Sequence, residues 1–348
     1  KGHGQVLVEG HPVGRLEGFH FLLDEEILGD DRRTALTAVR KALAREIPRR
    51  VLALETDQDS AFRLTGDGRL LWRDQPVARL AGGETALAPR IETLPSDFLD
   101  GPQRERIRKR LASWLAMHLE SRLRPLFRLS EATLPALARG VAFQIVEALG
   151  CLPRQSAETV GALGKGERKA LIGLGVSFGA ESLYLPALFS PRMTALRALL
   201  WSLKSGRPAP PRPAGGLLAL RLSGESPEDF WRAIGFRHFS DRGESVVIRA
   251  DALERVAETA RRLAQQGGFV VTPQLETQGG GEREALEFLL PFLGFRRKEE
   301  AGIVAFHPRG RAAQESKRRR NRKARPAPAR RGDPASPFAK LGELRVRK

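Results

Sequence analysis

The chain has 348 residues, 41% of them hydrophobic and 6% aromatic, one cysteine, and a formal net charge of +18 at pH 7. That length makes room for roughly two to four compact units, and the lone Cys151 excludes an internal disulfide and a cysteine-based zinc site. No apolar run approaches the ~20 residues of a bilayer span, and the opening KGHGQVLVEG has neither an apolar signal core nor an initiator methionine, which points to a cytoplasmic piece of a longer protein.

The first element is written twice. GQVLVEGHPVGRL at 4–16 and GRLLWRDQPVARL at 68–80 align without gaps at an offset of 64, sharing Pro12/Pro76, Val13/Val77, Arg15/Arg79 and Leu16/Leu80. Each copy reads as a hairpin. In the first, strand Val6–Val8 turns at Gly10-His11-Pro12 into strand Val13–Phe21; in the second, Leu70–Trp72 turns at Asp74-Gln75 into Val77–Leu80. A helix follows each hairpin. Asp30-Asp31 opens one through about Glu46, striped by Leu36, Val39, Leu43 and Ile47 and stopped by Pro48. Asp100-Gly101-Pro102 opens the other through about Leu123, striped by Ile107, Leu111, Leu115 and Leu119. Val51–Leu54 and Ala61–Leu64 read as strands between the units. Residues 1–128 are therefore expected to be duplicated β-hairpin-plus-helix units.

Residues 129–204 read as a helical middle domain, with helices at Ala132–Leu149, Ala162–Leu174 and Arg192–Leu203 and a buried connector at 174–191. SGRPAPPRPAGG, 205–216, is a Pro-rich linker. Residues 217–307 hold a weaker echo. FWRAIGFRHFSDRGESVVI from Phe230 and FLLPFLGFRRKEEAGIVAF from Phe288 each give a short helix, Gly-Phe-Arg, a charged turn and an apolar strand, with a helix at Ala252–Gln266 between them. This is a small winged-helix-like α+β module by analogy of pattern. Residues 308–348 carry fifteen Lys and Arg against Glu315, Asp333 and Glu343, which is two thirds of the chain's net charge. They form a disordered basic tail, in which Phe338–Leu344 can pack as a helical turn on a protein partner.

Chemistry-bearing motifs are few. Gly161–Gly166 lacks the spacing and hydroxyl of a phosphate loop. The six histidines have no partner at metal-ligand spacing. The acidic pairs Asp24-Glu25-Glu26 and Glu299-Glu300 read as solvated turns, and Cys151 as a buried thiol. Phe19 and Trp72 are core residues before they are base-stacking platforms, and Arg15 and Arg79 read as a shared structural pairing. The binding candidates are the tail cations Lys317, Arg318, Arg319, Arg320, Arg322, Lys323 and Arg325, with Arg104, Arg108 and Lys109 at the start of the second helix. Such charge seeks a phosphate backbone, RNA or DNA.

Three segments together, VEGHPVGRLEGFHF at 8–21, GRLLWRDQPVARL at 68–80 and LIGLGVSFGAESLYLPALFSPRMTALRALLW at 171–201, with SPFAKLGEL at 336–344, resemble the C-terminal region of alphaproteobacterial superfamily-two DExH-type helicases. That family is similar to the mitochondrial degradosome RNA helicase. The resemblance implies an upstream pair of ATP-hydrolysing domains, with ATP and Mg bound there. This chain carries none of their motifs, so no catalytic residue, metal or cofactor is assigned within it. The expectation is a nucleic-acid-binding accessory region, partnered by the upstream helicase core. The alternative is a protein-interaction scaffold with a basic tethering tail.

Overall fold

The computed structural model describes residues 5–8, 11–23, 32–154, 160–224, 226–300 and 302–309. These form an α+β fold of ten α-helices and five small antiparallel sheets. The basic tail, with its seven candidate cations at 317–325 and the Phe338–Leu344 segment, lies outside the described residues.

The first sheet is β1 (Gln5–Val8), β2 (His11–Glu17) and β3 (His20–Leu23) in that order, followed by α1 (Arg32–Thr56). The second is β4 (Phe62–Leu64), β5 (Arg69–Trp72), β6 (Gln75–Ala81) and β7 (Arg90–Thr93), followed by α2 (Gly101–Arg122). In the first hairpin Gln5 pairs with Arg15 and Val6 with Gly14; the ladder slips a residue, then Leu7 pairs with Pro12 and Val8 with His11. In the second, Arg69 pairs with Arg79 and Leu70 with Ala78; the ladder slips at the same step, then Leu71 pairs with Pro76 and Trp72 with Gln75. The valine passed over by the bulge is Val13 in one and Val77 in the other. Arg73 and Asp74 both take positive φ (49° and 62°), as a two-residue hairpin turn of the favoured hand requires.

Several boundaries differ from expectation. His11 and Pro12 lie within β2, because the turn closes between Val8 and His11. The return strand breaks at Gly18, whose φ of +60° starts a second turn into β3. Residues 51–54, expected as a strand, belong to α1, which runs straight through Pro48. Pro48 and Ala44, whose carbonyl loses its donor, are both exposed, so solvent can take the place of the missing bond. The apolar stripe Leu43, Ile47, Val51 and Leu54 therefore continues unbroken into the core. α2 starts as expected: the Asp100 carboxylate accepts from the Gln103 N–H at 2.7 Å, and the Gln103 side chain accepts from the Asp100 N–H at 3.2 Å.

The middle stretch is not all helical. α3 (Arg124–Glu131) and α4 (Ala136–Glu147) are followed by β8 (Cys151–Pro153), α5 (Lys165–Gly173), β9 (Ser177–Phe178) and β10 (Ser182–Tyr184), then α6 (Pro191–Ser205). The strands form a sheet of order β8-β10-β9. Two or three residues per strand are too few to show alternation, and β8 and β10 are buried throughout, so they read as apolar connector. Beyond 206–216, which holds no helix or strand, come β11 (Ala219–Leu222), α7 (Glu228–Ala233), β12 (Phe236–Asp241), β13 (Glu244–Arg249) and α8 (Ala250–Ala264). The chain continues through β14 (Phe269–Val270), α9 (Pro273–Gly279), α10 (Arg283–Leu289), β15 (Phe295–Glu300) and β16 (Ile303–Pro308). The last two sheets are ordered β11-β13-β12 and β14-β16-β15.

One apolar core runs from Leu16 through the helices to Trp201, Phe230 and Val247, and a second cluster packs under the last sheets around Leu253, Val256, Leu286 and Phe306. The larger core thus passes beneath both ends of the Pro-rich segment. Cys151 sits fully buried against Tyr184 and Ala250, and burial pushes its thiol pKa up to about 11. Two results are expected. Native protein at pH 8 reacts with a thiol reagent only as fast as it opens, measured against the denatured chain. Stability declines as pH rises from about 9 toward 11, because the unfolded thiol ionises first.

Candidate nucleic-acid interface

The cations at the start of α2 are largely spent inside the molecule. Arg104 Nη2 donates to the Ser96 carbonyl at 2.8 Å. Arg106 is paired with Glu55 of α1. Arg108 forms a two-pronged bond to Glu105 at 2.8 Å on each prong. Arg110 reaches Asp59 at 2.7 Å and the Asp57 carbonyl at 2.8 Å, with its guanidinium 4.6 Å from the Phe62 ring centre. The Arg106 and Arg110 contacts fasten α2 to the junction between α1 and β4. Lys109 alone of the group is exposed with no hydrogen bond or ion pair among the described residues, though its charge acts on Glu105. Arg15 and Arg79, at matching places in the two hairpins, also pair with carboxylates, Glu17 at 2.7 Å and Glu92 at 2.8 Å.

The aromatic candidates face inward. Phe19 and Trp72 stack on each other, 6.2 Å between ring centres and 9° from parallel, and both are buried. Trp72 Nε1 donates to Asp57 at 2.8 Å, which satisfies its one polar atom. Gln75, expected at an exposed turn, accepts from the Gly18 N–H at 2.9 Å and from Arg50, and so latches the first sheet to the second. Gly164, in the Gly-rich string at 161–166, is the N-cap of α5, and its N–H is taken by Glu167 at 2.8 Å. Among the described residues no group of His, Cys, Asp and Glu is arranged to hold a metal, and no helix is long and apolar enough to cross a membrane.

The structure brings together a different set of cations. On α1, Lys41, Arg45 and Arg49 recur every fourth residue on the exposed side, ending at Leu52, which is 54% exposed. On α3, Arg124 and Arg128 share a face. On α4, Arg139 and Phe143 do, and on α5, Lys165, Lys169 and Ile172 do. None of these eight cations has an ion-pair or hydrogen-bond partner among the described residues. α4 packs on both α3 and α5. Phe143 is 64% exposed and Ile172 57% exposed. Sequence reading passed over them because a charge count weighs clusters, whereas these cations are spaced four apart and diluted by intervening core residues. For Lys41, Arg45, Arg139, Lys165 and Lys169 the signal is the lack of an acid three or four residues away.

No family model, curated protein or solved structure matches this chain. The functional reading therefore rests on geometry and charge. A cation held in an intrachain ion pair must break that pair to meet a phosphate. A cation facing water alone gives up only its counterion atmosphere. By that measure the exposed faces of α1 and of α3–α5 are the described surfaces best suited to a polyanion, and the start of α2 is not, Lys109 excepted.

Proposed function

We propose that this chain is a nucleic-acid-binding accessory region of a cytoplasmic ATP-dependent helicase, guiding or clamping a strand while an upstream motor hydrolyses ATP. The observation that carries the nucleic-acid part is the set of exposed, unpartnered cations on α1, α3, α4 and α5. The net positive charge of 308–348 supports it. The motor is carried only by the sequence resemblance at 8–21, 68–80, 171–201 and 336–344. ATP and Mg belong to that upstream partner in this reading, and none of the residues here has a role in ATP chemistry.

The architecture fits such a role. We read residues 1–128 as two copies of one unit, since bulge and register recur at a constant offset. We read residues 217–307 as winged-helix-like. The run α8, β14, α9, α10, β15, β16, with its sheet ordered first-last-middle, supports that reading. Fold analogy raises the prior for nucleic acid without assigning a site.

The test is fluorescence anisotropy of single-stranded RNA and DNA oligonucleotides with the full chain, titrated over salt. Binding is expected to weaken steeply, with log affinity against log salt sloping by about 0.7 per phosphate neutralised. No detectable binding of either at ~50 mM salt overturns the reading. The scaffold alternative, for which the exposed Phe143 and Ile172 speak, then takes its place. ATP turnover by the isolated chain overturns the accessory role.

A further inference from the structure

Three stretches downstream of α3 follow one plan. Each begins with a helix (α4, α6, α8), continues with a strand (β8, β11, β14), one or two helices, and a hairpin (β9–β10, β12–β13, β15–β16). Each forms a sheet with the last strand in the middle. The correspondence extends to single residues. Gly175, Gly235 and Gly294 stand where the helix turns into the hairpin, with φ of +93°, +91° and +98°. The N–H of each donates to the carbonyl three residues back, at 2.8, 3.0 and 3.2 Å. Three residues past each glycine, Phe178, His238 and Arg297 pair with Leu183, Val247 and Phe306. Those three in turn pair with Leu152, Leu220 and Phe269 of the first strand.

The helix ahead of the glycine is where the three differ. α7 carries Glu228 and Asp229 against Arg232, and Asp229 takes Trp201 Nε1 at 3.0 Å and Arg207. α10 carries Glu284 and Glu287 against Arg283; Glu284 is paired with Arg221 at 2.6 Å, and Arg283 with Glu276 at 2.7 Å. α5 carries Lys165, Arg168 and Lys169 against a Glu167 already spent on Gly164. Arg168 donates to the Val160 carbonyl at 3.2 Å, whereas Lys165 and Lys169 face water.

We propose that residues 136–184, 191–249 and 250–308 are three copies of one helix–strand–helix–hairpin unit, and that the first alone binds single-stranded nucleic acid, across α4 and α5. Phe143 stacks on a base, while Arg139, Lys165 and Lys169 meet the phosphates on either side. An exposed phenylalanine beside unpartnered cations is the combination that single strands use, since every base has a face to stack and every linkage a charge. Glu147, one turn beyond Phe143 on α4 and exposed, bounds the site at that end. The inference rests on the nucleic-acid reading above and gives it a place in the fold.

The test keeps the full chain but replaces the seven tail cations at 317–325 with glutamine, which cuts the tail's net charge from +12 to +5 so that it masks the body less. On that background, Phe143→Ala is expected to weaken binding of a single-stranded oligonucleotide about tenfold, and Phe143→Trp to retain it. Lys165→Gln with Lys169→Gln is expected to lower the salt slope by about 1.4. Arg242→Gln, an exposed cation in the second unit's hairpin turn, serves as control and is expected to change neither. Because all these side chains are exposed, thermal unfolding should be unmoved. Unchanged affinity and slope in the Phe143 and lysine variants overturns the proposal. So does a tail-substituted chain that binds nothing while the unaltered chain binds: nucleic-acid binding then stands and belongs to the tail. If the unaltered chain also fails to bind, the general reading falls as well.

Discussion

Replacing Arg197 with methionine is expected to destabilise the protein by about 3–5 kcal/mol, more than any surface substitution, measured as a lower urea midpoint with an unchanged slope. Arg197 lies on α6, is fully buried, and has no carboxylate beside it. Its guanidinium instead donates to three backbone carbonyls from three parts of the chain. Leu149 at 3.1 Å closes α4, Leu188 at 2.8 Å sits in the turn before α6, and Ile234 at 3.1 Å closes α7. The last carbonyls of a helix have no partner within it and carry its negative end. One planar cation satisfies the ends of two helices and a loop at once. Burial nonetheless pulls its pKa down to about 10, so the charge itself is costly, and the return is in bonds made. Methionine fills the volume and strands the three carbonyls. Lysine keeps a charge but brings one nitrogen to a site built for a fork, and should fall between.

Glu254 gives the second large effect. It projects from α8 into the turn between β9 and β10, where it accepts from the N–H groups of Ala180 at 2.6 Å, Glu181 at 3.0 Å and Ser182 at 2.8 Å. Gly179 is glycine because a Cβ there would lie 2.1 Å from the Glu254 carboxyl carbon. Arg237 closes the same turn from β12 through the Glu181 carbonyl at 2.7 Å, and Arg261 closes it through the Glu181 side chain. Burial raises the Glu254 pKa, against the pull of the three N–H donors. Glu254→Ala is expected to cost about 2–3 kcal/mol in denaturant unfolding, since it frees three donors from a charged acceptor. Glu254→Gln should cost less than alanine, because its amide oxygen still accepts while its NH2 turns two donors toward other donors. Equal losses for the two would mean that packing, not the nest of N–H groups, holds the turn.

How far these features were legible in the sequence depends on their length and their partners. α2 was readable to the residue at its start, because Asp100, Pro102 and Gln103 are a local code written in adjacent positions. α1 was misread beyond Pro48, because whether a proline ends a helix depends on whether the orphaned carbonyl reaches water, and that is a tertiary fact. The β8-β10-β9 sheet was invisible, since strands of two or three buried residues carry no period. At the site, the crowding of arginines at 104–110 was plain, but the acids that consume two of them, Glu55 and Asp59, lie about fifty positions away. Phe143 drew no notice because nothing in a sequence says which side of an apolar helix is left uncovered.

The proline-rich stretch at 205–216 takes on another meaning once both of its ends are placed. Trp201 before it and Phe230 after it meet edge to face, 5.1 Å between ring centres, within the same core. Arg207 at its start pairs with Asp229 and lies 4.8 Å from the Trp201 ring centre. Such a segment is a strap, not a hinge. Its prolines shorten the list of shapes that the unfolded chain can take, so that bringing its ends together surrenders less disorder than a glycine-rich loop of equal length would. Mechanically, a pull on the body beyond it is carried through the shared core to the helices before it, and the two sides turn as one.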